Sequence, residues 1–235
     1  MTEDTLSQQT EDFLKIPEYL KRLHTANRHH ENGEDYNSSD DLVTDLLLTD
    51  GHVFRRIFIG PHILEQQWIH SIPFIALDDT YLRNCYRQTL LLAVGRNGNN
   101  ESWIIAWAIV ESENDESWDW FVERLCKCVP SLTNRSEWPR FQTPCSISDR
   151  NASALKAQEK WLLGVTLIYC CWHLMKNVLE VTKHANKTAI REAWWKFPYA
   201  KNENDWKRAV EKMKQVGGQE AIDYIEKLDK TKFYA

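Results

Sequence analysis

Three aspartates stand where short apolar runs give way to polar residues, and carboxylates at such places are the groups a chain uses to hold hard metal ions. Asp78 and Asp79 follow the run Phe74-Ile75-Ala76-Leu77, and Asp149 follows Cys145-Ser146-Ile147-Ser148. A buried carboxylate is costly unless a cation meets it. If the strands carrying these runs are neighbours, Asp78 and Asp149 meet at one end of a sheet. Oxygen ligands from separate elements suit Mg²⁺ or Mn²⁺, and two such ions roughly 3.5–4 Å apart can activate a water or 3′-hydroxyl in phosphodiester transfer. A lone aspartate at a strand end also serves as a helix cap or a turn residue, and an Asp78/Asp149 acid–base pair would work without metal. Cys170 and His173 form a second pair of interest, in Cys170-Cys171-Trp172-His173. Cys-x-x-His supplies at most two of the four ligands of a structural zinc site, and no second pair accompanies it. His173 at a strand-to-helix junction is also placed to act as a cap.

The elements that must position these residues can be read from periodicity. Phe74–Leu77, Gln88–Val94 and Ser102–Val110 are three strand-like runs. Arg96-Asn97-Gly98-Asn99-Asn100 lies between the last two, and Asn-Gly is a strong hairpin signal. These runs predict an antiparallel meander. Asn114-Asp115-Glu116 offers an N-cap and first-turn acids, and Trp118, Phe121, Val122, Leu125 and Val129 fall at helical spacing for a helix across the sheet. The two prolines of the 131–144 stretch suit a loop. A strand at Cys145–Ser148, a helix over Arg150–Trp161 and a strand over Val165–Cys170 then imply a right-handed parallel crossover. The pattern alone supports a mixed α/β sheet.

In these segments the sequence resembles the catalytic domain of Mutator-like element (MULE) transposases. The resemblance is carried by Asp78-Asp79-Thr80, by the Val94-to-Asn100 hairpin and by Val110-Glu111-Ser112-Glu113-Asn114-Asp115-Glu116-Ser117-Trp118. Ile147-Ser148-Asp149-Arg150 and Cys170-Cys171-Trp172-His173-Leu174-Met175-Lys176-Asn177 add to it, and it extends from Thr49 to Ala235. It implies a ribonuclease H-like α/β fold, here a five-stranded mixed sheet with flanking helices, Phe74–Asp78 central, and a C-terminal helical insertion lobe. It implies a DDE-type transposase core: metal-dependent DNA cleavage and strand transfer, Mg²⁺ or Mn²⁺ as cofactor, transposon terminal repeats as the DNA partner, a nuclear location and a homo-oligomer. Asp78 and Asp149 become metal ligands and catalytic residues. His173 joins them as a residue that orients a carboxylate or contacts the scissile phosphate, with Asp79 and Cys170 as secondary candidates.

The third acid departs from the family pattern. The family's catalytic glutamate follows the insertion in an Asn-x-x-Glu-Ser context, and no such segment occurs before Ala235. Glu180, Glu192 and Glu211 lack that context, and Glu111 matches a different family position. The chain is therefore expected to be a fragment without the third ligand, inactive as given but retaining weak divalent-metal affinity. The competing reading is a catalytically silent relic or domesticated module that contacts DNA or protein without cutting.

The remaining features set bounds. Expected divisions are a polar, acidic lead-in over 1–48, largely disordered or loosely helical, a core over 49–183, and the start of the insertion over 184–235. Within the lead-in, His29-His30 has no partner at finger-like spacing, which reads as solvated loop. Asp50-Gly51 has the form of a hairpin turn between Leu46-Leu47-Leu48 and the Val53-to-Ile59 run, and His62–His70 reads as a short helix. The 235 residues suffice for one well-buried core plus an appendage. A net charge of −5, from 29 Lys and Arg against 34 Asp and Glu, is not the footprint of a stand-alone DNA-binding domain. No apolar run approaches a membrane span, the start MTEDTLSQQTED lacks the basic and apolar regions of a secretory signal, and the six cysteines lack the density of a disulfide framework. An intracellular protein with reduced thiols follows. Cys126 and Cys128, two apart on a helix, point to different sides and do not chelate one ion.

Overall fold

The computed structural model describes residues 11–26, 30–31, 34–35, 42–49, 53–61, 68, 70–83, 86–134, 144–182 and 186–232. Helix α1 is Ile16–Ala26; strands β1 to β5 are Leu42–Thr49, Val53–Pro61, Ile72–Tyr81, Thr89–Arg96 and Ser102–Val110; α2 is Asp115–Cys128. There follow β6 (Cys145–Ser148), α3 (Ala152–Trp161), β7 (Thr166–Tyr169), α4 (Cys171–Val181), α5 (Lys187–Trp194) and α6 (Glu203–Glu226). His30–Glu31 and Glu34–Asp35 form a separate two-stranded ladder. The main sheet has seven strands in the order β1-β2-β5-β4-β3-β6-β7, a mixed α/β arrangement. The expectation of five strands is corrected: β1 and β2 pair as a hairpin, and β2 then adds to β5 with Phe58 opposite Ala108. Strand β1 begins inside the stretch expected as lead-in, where its main chain pairs with Val53–Pro61. Asp50-Gly51, His29, Cys85 and most of the expected helix at 62–70 lie outside the described residues. Among the described residues, no helix is long and apolar enough to cross a membrane.

The chain divides into two compact units, one of residues 1–146 and 152–166, the other of residues 147–151 and 167–235. In the first, β3, β4 and β5 form the expected antiparallel meander, with Leu77 opposite Ala93 and Leu91 opposite Ala108. Burial alternates strictly along β4, and Leu91 and Ala93 join Ile75 and Leu77 in a core closed by Trp118, Phe121, Val122 and Leu125 of α2. Asn114 caps α2 by accepting a hydrogen bond from Ser117 N–H at 2.8 Å. The other face of β2 carries Ile57 and Ile59, covered by Leu20 of α1. Helix α3 is tied to α2 by Lys160 and Trp161, which both donate to Asp119 at 2.8 Å.

The β4–β5 hairpin forms as expected, but its left-handed residue is Asn100 (φ 65°) and not Gly98. Asn97 Oδ1 accepts from the N–H groups of Asn99 and Glu101, so the loop is organised by an Asx-type turn. Strands β6 and β7 run in the same direction: Thr166 N–H donates to Pro144 O and Cys170 N–H to Ser148 O, at a constant offset.

The second unit has its own core. Leu174, Met175 and Val178 of α4 pack with Ile190, Ala193 and Trp194 of α5 and with Trp206, Ala209, Met213, Ile222 and Ile225 of α6. Phe197 stacks edge-on to Trp206 at 4.9 Å, and Trp194 Nε1 donates to Cys171 O at 2.9 Å. The helices expected over the 185–228 stretch are present as α5 and α6, the latter kinked at Gly218 (φ 69°, ψ −166°).

Candidate active site

Strand β3 places its two aspartates on opposite faces. Ile75 and Leu77 are buried at 1% and 2% exposure, and strand periodicity of two puts Asp79 on their face and Asp78 on the other. Asp78, opposite Leu92, is exposed; its carboxylate makes no hydrogen bond or ion pair among the described residues. Asp79, opposite Leu91, is half-buried and already interacts with a neighbour. Of the two, Asp78 is the carboxylate available to a cation. The apolar run does not end the strand: β3 continues through Thr80 and Tyr81, because main-chain pairing with β4 persists to Tyr81–Thr89.

In the second unit, Asp149 directly follows β6. Its Oδ1 accepts from Asn151 N–H at 2.9 Å, so one carboxylate oxygen holds the local turn. Cys170 is the N-cap of α4 but its thiol makes no capping hydrogen bond. Burial, with a smaller contribution from Cys170, pushes the neighbouring Cys171 thiol up to about 11. His173, in the first turn of α4, is half-buried and its Nδ1 is enclosed without a hydrogen-bond partner among the described residues.

The other acids have structural settings. Glu111 accepts from Arg56 Nε at 2.8 Å and Nη2 at 2.6 Å, and from Arg55 Nε at 3.0 Å. Partial burial, the largest single influence, works to raise the Glu111 pKa, but the Arg56 and Arg55 hydrogen bonds together with the Arg56 charge hold it below its ordinary value. Sequence reading missed Arg56, which is 1% exposed although it sits in a strand beside an exposed-looking Arg55. The signal was there: in a period-two strand, adjacent arginines must face opposite ways. Glu180, Glu192 and Glu211 are exposed on helix faces. Cys128 is buried, whereas the Cys126 thiol donates to Trp161 O and is pushed up to about 12 by burial. Among the described residues, no three His, Cys, Asp or Glu side chains gather into a cluster that could hold a metal ion. The donors at Asp78 and Asp149 are hard oxygens, the type that Mg²⁺ or Mn²⁺ prefers.

One stretch of the chain, residues 74–177, matches the family model described as the MULE transposase domain. It contains both aspartates of interest, Cys170 and His173. No curated protein matches the sequence. Among solved structures, the chain is similar to one titled "Crystal structure of the catalytic domain of Mos1 mariner transposase", at 13% identity over 74% of this chain and 91% of that one. The TM-score of that superposition is 0.27.

Proposed function

We propose that β3 to α4 form a ribonuclease H-like DDE transposase core whose chemistry is metal-dependent DNA strand cleavage and transfer. The observation that carries the reading is the MULE transposase domain over residues 74–177, with Asp78 and Asp149 inside it. It is supported by sheet order: β6, whose first residues belong to the first unit, is the neighbour of β3, and β5-β4-β3-β6-β7 is the strand order the reading requires. Asp78 offers an exposed carboxylate with both oxygens unspent, and Asp149 offers the oxygen its turn leaves over. When bound between such groups, Mg²⁺ or Mn²⁺ would activate the attacking hydroxyl and stabilise the leaving oxygen. We assign to His173, whose Nδ1 has no hydrogen-bond partner among the described residues, the role of orienting a carboxylate or a phosphate. Asp79 and Cys170 flank these positions.

The test is nicking of supercoiled plasmid DNA by the wild-type chain and by Asp78→Asn and Asp149→Asn, in Mn²⁺ and in EDTA. The reading expects any cutting to require Mn²⁺ and to vanish in both variants. Cutting in EDTA, or cutting that survives Asp149→Asn, contradicts it. Divalent-metal binding without cutting fits both a core that lacks its third acid and the catalytically silent module, and a version extended through a glutamate-bearing helix separates them: cutting gained by the extension favours the former, none the latter.

A further inference from the structure

The second unit carries an aromatic and cationic surface at the same strand ends as Asp149. Trp172, the second residue of α4, is 50% exposed, a costly setting for the largest apolar ring. One helical turn on, Lys176 holds its Nζ 5.6 Å from the Trp172 ring centroid. Tyr169, the last residue of β7, lies beneath the Arg150 guanidinium at 5.8 Å. The bond from Cys170 N–H to Ser148 O, at 2.7 Å, fixes the end of β7 beside the end of β6, so Arg150, Tyr169 and the start of α4 are held together. Among the described residues, neither Arg150 nor Lys176 is committed to an ion pair. The acids nearby are Asp149 itself and Glu180, exposed one turn beyond Lys176.

An exposed ring with a cation beside it is what unpaired nucleic acid needs: a base stacks on the π face while lysine and arginine of the same surface meet the phosphates. A paired duplex hides its base faces and cannot use the ring in this way. We propose that Trp172, with Lys176 beside its ring and the Arg150–Tyr169 pair at the adjoining strand ends, is a stacking platform for unpaired DNA bases on the surface that carries Asp149. The inference rests on the DNA-cutting reading for the identity of its ligand, but it is tested by binding alone.

Binding of a fluorescein-labelled oligo-dT strand and of a matched duplex is measured by anisotropy with the full chain in EDTA, across a salt series. Trp172→Ala is expected to weaken single-strand binding roughly 5- to 150-fold, the range for loss of one stacked base, and Trp172→Phe to retain most of it. Lys176→Ala is expected to reduce the slope of log K against log salt by about 0.7, one phosphate contact on a single strand. Tyr199, 77% exposed on a different stretch of the unit, is the control, and Tyr199→Ala is expected to leave binding unchanged. Unaltered binding by Trp172→Ala, an equal loss in Tyr199→Ala, or an equal loss on duplex overturns the platform. Should Trp172→Ala fail to fold, the Lys176→Ala slope decides. Mn²⁺-dependent nicking with oligo-dT binding indifferent to Trp172 removes the platform and leaves the cutting reading; Trp172-dependent binding in a chain that cuts in EDTA does the reverse.

Discussion

Glu111 and Arg56 form the most enclosed ion pair described in the first unit, and the structure fixes what breaking it should cost. Arg56 is 1% exposed and makes a two-pronged contact to Glu111, with Nη1 also donating to Glu116 O at 3.3 Å. Removing one partner of a buried pair typically costs about 3–5 kcal/mol, because the other charge is left without compensation. Two features reduce that here: Glu111 is 34% exposed at its side chain, and Glu116 stays within 3.2 Å of Arg56. Glu111→Leu is therefore expected to destabilise by about 2–3 kcal/mol. Arg56→Met removes the buried charge itself and leaves Glu111 with Arg55 and water, for about 1–2 kcal/mol. The double variant should cost less than the sum of the singles by about 1–2 kcal/mol, the coupling of residues in direct contact. Urea unfolding of the four proteins measures this, with midpoints converted through a shared slope. The pH dependence has a definite sign. The Glu111 pKa is lowered in the folded state, so its contribution is complete above its ordinary 4.5 and is lost as pH falls through the lower folded value. Additive single variants, or a Glu111→Leu cost under about 0.5 kcal/mol, would refute the claim that burial of Arg56 makes this pair matter.

Other outcomes follow from close contacts and burial. A methyl group added at Gly60 would stand 2.7 Å from Cys128 Sγ, so Gly60→Ala should destabilise by about 1–3 kcal/mol and be partly rescued by Cys128→Ala, read by thermal unfolding. At Gly218 the obstacle is backbone alone, since φ is +69° and the nearest atom to a new Cβ is Glu220 Oε2 at 3.5 Å; Gly218→Ala should cost about 1–3 kcal/mol with no rescuing neighbour. Burial raises the Cys126 and Cys171 thiols to about 12 and about 11, so iodoacetamide at pH 8 should label them far more slowly in the folded chain than in urea, as followed by mass spectrometry. The sign for stability is that these thiols favour the folded state at neutral pH, and their contribution is lost as pH rises from the ordinary 9 through those raised values.

Much of the first unit was legible because its signals are local. The apolar runs of β3 to β5, the Asn-rich loop and the Asn114 cap each act within a few residues, and each appears where the sequence placed it. The strand count was misread because it depends on pairing between distant segments. The Leu46-Leu47-Leu48 and Val53-to-Ile59 runs pair as the hairpin the sequence suggests, but that hairpin joins the sheet only because Ile57–Ile59 meets Trp107–Ile109, some 50 positions on. Strand β3 passes its two aspartates because main-chain hydrogen bonds to β4 do not require apolar side chains. The hairpin turn kept its place and changed its chemistry, since the Asn97 side chain supplies acceptors that a two-residue Asn-Gly turn would not need. At the candidate site, residue types were readable but partners were not. That Asp149 spends one oxygen on Asn151, that Asp78 faces away from Leu77 while Asp79 does not, and that Arg56 is buried all depend on register and three-dimensional neighbours.

The claim that Asp78 and Asp149 together hold a divalent ion is tested most directly by titrating the full chain with Mn²⁺ and following free ion by electron paramagnetic resonance, alongside Asp78→Asn and Asp149→Asn. The account predicts weak binding that saturates, competes with Mg²⁺ and is lost in each single variant. Mn²⁺ binding that persists in either variant, or a wild-type chain that binds none, contradicts it.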